Sequence, residues 1–230
     1  MKFEYTSVMN FQNALRGMRN AHDSWDKIDS YVNEKGEFIL GENDKKLAIS
    51  LIKSGSEHRK FLRQIFVSVD ISAPLYWWKE FSTYKVATTS NSCSTMHTLM
   101  KKEFTPDMFE CKTLNGYREN EININKTNSN IDDNEFESFL YTLSKLNKLR
   151  NEFLETKDKD VWKSIIIMLP TSFIQKRTIT MNYENLFGMC SKGQRRFHKL
   201  TEWSKDFIDW ARTLPYAQEF IFVDELSNNE

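Results

Sequence analysis

The sequence predicts an α+β protein in which helices outnumber strands. Three observations predict it. Gln64 to Ser72 alternates, with Ile65, Val67, Val69 and Ile71 on one face and Phe66, Ser68, Asp70 and Ser72 on the other. Phe136, Phe139, Leu140, Leu143, Leu146, Leu149 and Phe153 fall at helical spacing and trace one face of a long helix. Strand-like runs are few and helical stretches dominate, which sets the class.

In chain order, residues 2–9 alternate loosely and read as a short strand. Phe11, Leu15, Met18 and Trp25 carry a helical pattern that predicts a helix from about Phe11 to His22. Val32 to Leu40, with Gly36, reads as a loop or small hairpin. Asn43 is placed to cap a helix whose buried face is Leu47, Leu51 and Ile52. After the strand at Gln64 to Ser72, Ser72 is expected to cap a helix with Pro74 in its first turn, where a missing N–H costs nothing. That helix is expected to reach about Lys85, with Trp77, Phe81 and Tyr84 on one side. Thr88 to Ser92 is rich in small hydroxyl residues and is expected to be a loop.

Residues 105–135 are polar and irregular, which predicts a surface excursion. Asn134 with Glu137 forms a capping-box pattern at the start of the long helix. Val161 to Met168 reads as a helix ended by Leu169-Pro170. Thr171 to Met181 is β-rich, and Asn182 to Cys190 reads as a short helix. Leu200, Trp203, Phe207, Trp210 and Leu214 mark a last helix, stopped before Pro215. No internal repeat is visible, and residues 1–230 are expected to form a single domain with one excursion.

Composition narrows the function. The 230 residues are 40% apolar, with 17 Phe, 8 Tyr and 6 Trp, enough for a substantial core. Lys plus Arg equals Asp plus Glu, 32 each. A neutral chain has no global field to attract a polyanion, which argues against nucleic acid as a partner. Only the Lys192 to Lys199 stretch, with its Phe197, offers a local basic patch. Cys93, Cys111 and Cys190 form no CxxC pair, and the four histidines lie far apart, so neither disulfides nor a metal site are expected. The opening MKFEYTSVMN lacks a basic segment followed by an apolar run, and no stretch approaches the roughly 20 apolar residues of a membrane span. The expectation is a cytoplasmic protein with no membrane partner.

Three segments carry a family likeness. They are Gly55-Ser56-Glu57-His58-Arg59-Lys60-Phe61, the run Ala73 to Thr88 followed by Asn91-Ser92-Cys93-Ser94, and Leu169-Pro170 followed by Thr180-Met181-Asn182 and Asn185-Leu186. Their order and spacing resemble the flavin-dependent thymidylate synthases over roughly residues 50–215, with Glu202 and Trp203 near that family's acidic and aromatic pair. The resemblance implies helices on a small central antiparallel sheet and a homotetramer with sites shared between subunits. It implies reductive methylation of dUMP at C5, with FAD as cofactor and methylenetetrahydrofolate and NADPH as co-substrates. Toward the cofactor it implies His58, Tyr84, Lys85 and Asn182. Toward the nucleotide it implies Glu80, Ser94, Arg195 and Arg196, with Ser94 or Cys93 at the reacting centre.

The chain departs from the family pattern where charge is concentrated. The family's signature is Arg-His-Arg, seven residues, then Ser. Gapless placement puts Thr83-Tyr84-Lys85 over the triplet and Cys93 over the serine; one inserted residue puts Ser94 there instead. Only Lys85 keeps a positive charge. The arginine after the serine falls on Thr95 or Met96, and the one before the Leu-Pro falls on Ile166. A charge-assisted contact to phosphate contributes about 1.5–3 kcal/mol, so these losses weaken ordinary nucleotide binding unless Lys85, Lys192, Arg195, Arg196 or Lys199 substitutes.

Each candidate also has a plainer reading. Tyr84 and Lys85 fit a core-edge tyrosine and a solvated lysine at a helix end. His58 fits a satisfied structural histidine, and His198 either a phosphate contact or a solvated helix start. Trp77 and Trp78 read as packing or as exposed interface tryptophans rather than flavin-stacking groups. Cys93 fits either a buried small hydrophobe or a thiolate attacking C6 of a uracil; Ser94 fits a hydrogen-bond donor to substrate. Of Arg195 and Arg196, on opposite helix flanks, one is expected to face the site, where a planar guanidinium matches phosphate oxygens. A non-catalytic nucleotide- or protein-binding member of the same fold is the competing expectation.

Overall fold

The chain begins with strand β1 (Lys2–Met9), helix α1 (Phe11–Met18) and a two-stranded hairpin, β2 (Tyr31–Val32) and β3 (Phe38–Ile39). Helix α2 (Glu42–Lys53) and a 3-10 turn (Arg59–Gln64) lead into β4 (Phe66–Pro74), α3 (Leu75–Phe81), β5 (Thr89–Ser92) and α4 (Thr95–Thr98). Then come α5 (Glu135–Thr156), α6 (Lys159–Met168), β6 (Ile174–Asn182), α7 (Tyr183–Cys190), α8 (Lys192–Arg195), α9 (Ile208–Arg212) and α10 (Ala217–Phe220). The computed structural model describes residues 1–119 and 134–228, without the side chains of 96, 97, 227 and 228. Residues 120–133 of the predicted excursion therefore lie outside the described residues.

Four strands form one sheet in the order β1-β4-β6-β5. Ser68 meets Thr180 at 2.7 Å between hydroxyls, and Thr178 donates to Asp70 at 2.6 Å. Residue numbers rise on β4 as they fall on β6, so this pair is antiparallel. The alternation read from the sequence holds: Val67, Val69, Ile71 and Ala73 are buried, and Ser68, Asp70 and Ser72 are not. The class and the small antiparallel sheet are as expected.

Contacts divide the chain into two compact units. The first holds Met1–Ile71, Thr83–Asn91 and Arg177–Glu230; the second holds Ser72–Ser82 and Ser92–Lys176.

In the first unit, α1 buries Phe11, Ala14, Leu15 and Met18. Phe11 stacks on Phe38 at 5.3 Å and meets Tyr183 and Tyr216 edge-on at 5.5 and 5.6 Å. The Tyr216 hydroxyl donates to Phe38 O at 2.8 Å and accepts from Leu40 N, pinning the hairpin. The α2 start is not capped by Asn43. Gly41 holds the N-cap position, and the Asp29 carboxylate accepts from Asn43 N and Asp44 N at 2.8 and 3.0 Å. A Cβ on Gly41 would lie 2.2 Å from the Asp29 carboxyl carbon, so only glycine admits this cap. Burial by itself would raise the Asp29 carboxyl, but the backbone donors outweigh it and hold it below its ordinary value. The buried face of α2 is Asp44, Ala48 and Ile52; Ile52 is buried as expected, but Asp44 and Ala48 replace Leu47 and Leu51 because Asp44 turns inward to Arg19.

In the second unit, Ser72 lies inside β4 and caps nothing. The first N–H groups of α3 go instead to main chain: Leu75 N donates to Phe173 O and Tyr76 N to Thr171 O, each at 3.0 Å. A backbone partner makes the serine cap unnecessary. Helix α3 stops at Phe81, four residues short of the expected end. Trp77 and Trp78 are 0% and 1% exposed, which bears out packing and corrects the alternative of exposed interface tryptophans. Trp77 stacks on Phe81 at 5.0 Å, and the Trp78 indole N–H donates to Gln175 O at 2.9 Å.

Residues 105–111 are not the surface excursion expected, whereas Lys112, Thr113, Asn115, Arg118 and Glu119 are exposed. Phe109 is 3% exposed because it bridges to Phe173 and packs with Phe104, Leu143, Leu146 and Ile165, and Cys111 is 2% exposed against Phe136 and Leu140. Asn134 caps α5, as the sequence predicts, but through Phe136 N at 2.9 Å rather than through the capping box with Glu137 that was expected.

Candidate functional site

His58 sits at the N-terminal end of the 3-10 turn that feeds β4. With α1 packed against that turn, Gly17 approaches Gln64 closely: a Cβ there would lie 3.1 Å from Gln64 Oε1. Between them opens a cavity of about 880 Å³, lined among others by His22, Glu57, His58, Lys60, Phe61 and Arg63. Lys60 and Arg63 against the one carboxylate of Glu57 leave the lining with an excess positive charge, which favours an anionic ligand. The adjacent Arg59 turns away, paired with Glu184 at 3.1 Å and lying over the Phe187 ring. His22, Lys60 and Arg63 escaped sequence reasoning. Lys60 lies within the Glu-His element, but His22 is brought in only by the packing of α1.

A second group gathers around the chain after α3. Gln194 donates to the Tyr84 hydroxyl at 3.0 Å, and the Tyr84 ring lies 5.8 Å from Trp203. His198, 5% exposed, stacks on Trp203 at 4.6 Å with the planes 9° apart. It is buried, not solvated as one reading had it. Asn182 caps α7 through Asn185 N at 3.0 Å, and the Asn185 side chain answers both Asn182 N and, at 2.8 Å, Val86 O. The 84–86 stretch is thus tied to the start of α7 and to α8. Ala87 has φ 55°, a left-handed conformation that an L-residue adopts at a cost of about 1–2 kcal/mol. Lys85 is exposed beside it.

The two candidate arginines differ in their contacts. Arg195 Nη2 is 2.7 Å from Glu225 Oε1. Arg196 is exposed, with its guanidinium 4.9 Å from the centre of the Phe197 ring, itself 64% exposed.

Glu80, Cys93 and Ser94 belong to the second unit. Glu80 is half-buried on α3. Cys93 follows β5, which forms a strand where a loop was expected because β6 supplies a pairing partner. Cys93 N donates to Lys176 O at 2.9 Å, and the Gln175 side chain donates to Cys93 O at 2.8 Å. The Cys93 thiol is exposed, correcting the buried-hydrophobe reading, and lies 3.6 Å from the Thr98 hydroxyl. Ser94 begins α4, its carbonyl accepting from Thr98 N and from the Thr98 hydroxyl. Burial pushes the Cys190 thiol up to about 12, and Cys111 is raised the same way, so neither offers a thiolate near neutrality. Among the described residues no helix is long and apolar enough to cross a membrane.

The backbone decides the fold. A flavin-dependent thymidylate synthase ThyX from Helicobacter pylori, complexed with FAD and dUMP, superposes with a TM-score of 0.66 over 97% of this chain and 99% of its own, at 17% identity. The fold is that of the flavin-dependent thymidylate synthases. A second Helicobacter pylori ThyX structure with FAD and dUMP covers 99% of this chain and all of its own, with a TM-score of 0.62 and 16% identity. No protein-family model and no curated protein matches the sequence. At such identity the ThyX likeness is one of architecture, and site chemistry has to be argued from this chain's own residues.

Proposed function

We propose that the protein is an FAD-dependent thymidylate synthase-like enzyme that methylates C5 of dUMP or a related pyrimidine nucleotide. The observation that carries this reading is the end-to-end match to a ThyX chain that holds both FAD and dUMP. Methylenetetrahydrofolate is the carbon donor and NADPH the reductant; the assembly is a cytoplasmic homotetramer with shared sites. When bound, FAD supplies the hydride chemistry, and the protein binds, orients and excludes water.

The residues fit that division of labour. FAD carries two phosphates, and the His58 cavity offers Lys60, Arg63 and two imidazoles with room for a large ligand. Tyr84 and Lys85 hold the cofactor from the strained turn after α3, and Asn182 holds that turn through Asn185. Arg196 is the exposed guanidinium available to the nucleotide phosphate. Ser94 donates to the pyrimidine, and Glu80 supports the nucleotide. Cys93 has the exposure a nucleophile needs, but the Thr98 hydroxyl beside it is neutral and cannot serve as a base.

Purified protein should be yellow or take up added FAD, and should release tritium from C5-labelled dUMP in the presence of NADPH and methylenetetrahydrofolate. Colourless protein that ignores FAD would sink the proposal. A second reading, a non-catalytic nucleotide-binding member of the fold, is favoured by Thr83-Tyr84-Lys85 in place of the arginine-rich triplet. Nucleotide binding without tritium release distinguishes it.

A further inference from the structure

Two guanidiniums converge on one carboxylate at the C-terminal edge of the first unit. Arg212, on α9, donates to both oxygens of Glu225 at 2.8 and 3.0 Å. Arg195, on α8, reaches Glu225 Oε1 at 2.7 Å. Both lie against the Phe222 ring, with Arg212 4.1 Å and Arg195 5.8 Å from its centre. The same 3-10 segment, Val223–Asn228, is held to α8 a second time: Lys192 N donates to Asp224 Oδ2 at 2.8 Å and Lys192 Nζ to Asp224 O at 2.7 Å.

Two features set this apart from an ordinary surface ion pair. Arg195 Nε is buried with no acceptor, a donor that Glu225 does not reach. The segment's hold also changes character at Val223. Up to that residue the chain is core, with Phe222 and Val223 0% and 2% exposed; beyond it the hold on α8 and α9 is through Asp224 and Glu225.

We infer that Arg195 and Arg212 form a phosphate-type oxyanion site that the chain's own Glu225 occupies, so that the C-terminal segment is a displaceable self-ligand. A tetrahedral phosphate offers more oxygens than a carboxylate, enough to engage Arg195 Nε as well as the two forks. Releasing Glu225 breaks polar contacts and leaves the core intact. This goes beyond the proposed function, which leaves the nucleotide phosphate to Arg196 and does not use Arg195.

Inorganic phosphate titrated calorimetrically against the full chain and against Glu225→Gln tests it. Glu225→Gln should bind phosphate about tenfold or more tightly, the scale of one charge-assisted contact, and adding Arg195→Gln should abolish the gain. Equal affinity in both proteins, or a gain that survives loss of Arg195, overturns the inference. Circular dichroism reports whether the variants fold. Should Glu225→Gln not fold, amide exchange at Asp224–Asn228 in the unaltered chain gives the answer. Phosphate should speed it relative to chloride at equal ionic strength, and unchanged or slower exchange overturns the idea. FAD uptake is read in parallel. Colourless protein whose segment is released by phosphate removes the flavin reading and keeps the self-ligand; yellow protein with an unmoved segment does the reverse.

Discussion

Arg19 and Asp44 form a buried ion pair, with Arg19 Nε 2.6 Å from Asp44 Oδ1 and side chains 4% and 0% exposed. The second Asp44 oxygen accepts from Ser30 N at 3.0 Å, and the Arg19 guanidinium also reaches Ser24 O. One pair thus ties the end of α1, the chain before the hairpin and the first turn of α2. Asp44→Asn should strand the Arg19 charge and cost about 3–5 kcal/mol in urea unfolding. Arg19→Met with Asp44→Leu should recover most of that loss, since neither charge is then left alone. A single-variant cost under about 1 kcal/mol would show that the site rehydrates.

The His58 cavity makes a binding prediction. Lys60→Gln and Arg63→Gln should each weaken FAD binding by about tenfold if the cavity receives the cofactor's phosphates. The losses should shrink at high salt. His58→Ala should weaken binding without changing that salt dependence. Unchanged affinity in all three variants would move the cofactor out of this cavity.

Thiol reactivity should separate the three cysteines. With a maleimide probe at mildly alkaline pH, Cys93 should react quickly in the folded protein. Cys111 and Cys190 should react only after unfolding, since burial raises both thiols, Cys190 to about 12. Raising the pH within the range where the fold survives should therefore not recruit Cys190. Two fast thiols in the native protein would contradict this packing.

Glu225 gives a pH dependence with a definite sign. The Arg212 hydrogen bonds, with help from Arg195 and against some burial, hold the Glu225 carboxyl below its ordinary value. A carboxyl depressed in the folded state stabilises the fold above the ordinary glutamate range, and that contribution disappears as the pH falls through its folded value. Asp224, Lys192 and Arg212 surround it, and the arginine stays charged throughout. Amide protection of residues 224–228 should fall on acidification below pH about 4, the usual glutamate region. Glu225→Gln should reduce that acid dependence, leaving the part carried by the Asp224–Lys192 contact, with protection at α5 untouched.

Periodic segments were the legible part of the fold. β4, α5 and the buried Trp203–Phe207–Trp210–Leu214 face followed from spacing, although Leu200, read onto the same face, is 44% exposed. What failed were places where a distant backbone or side chain replaced a local signal. Phe173 O and Thr171 O stood in for the Ser72 cap, Asp29 for Asn43, and β6 turned the hydroxyl-rich 88–92 stretch into a strand. The candidate site was legible only in pieces. His58, Tyr84 and Asn182 lie in recognisable segments, whereas His22 enters its cavity through helix packing and Arg212 meets Arg195 through Glu225. No spacing rule announces contacts of that kind.

Neither compact unit corresponds to one continuous length of polypeptide. The first is assembled from three separate stretches and the second from two, and β4 and β6 each begin in one unit and end in the other. A ribosome must therefore deliver residue 177 and beyond before the N-terminal helices find their final partners. Closure over so many intervening residues makes slow, all-or-none folding the natural outcome, and no simple truncation should yield a stable half.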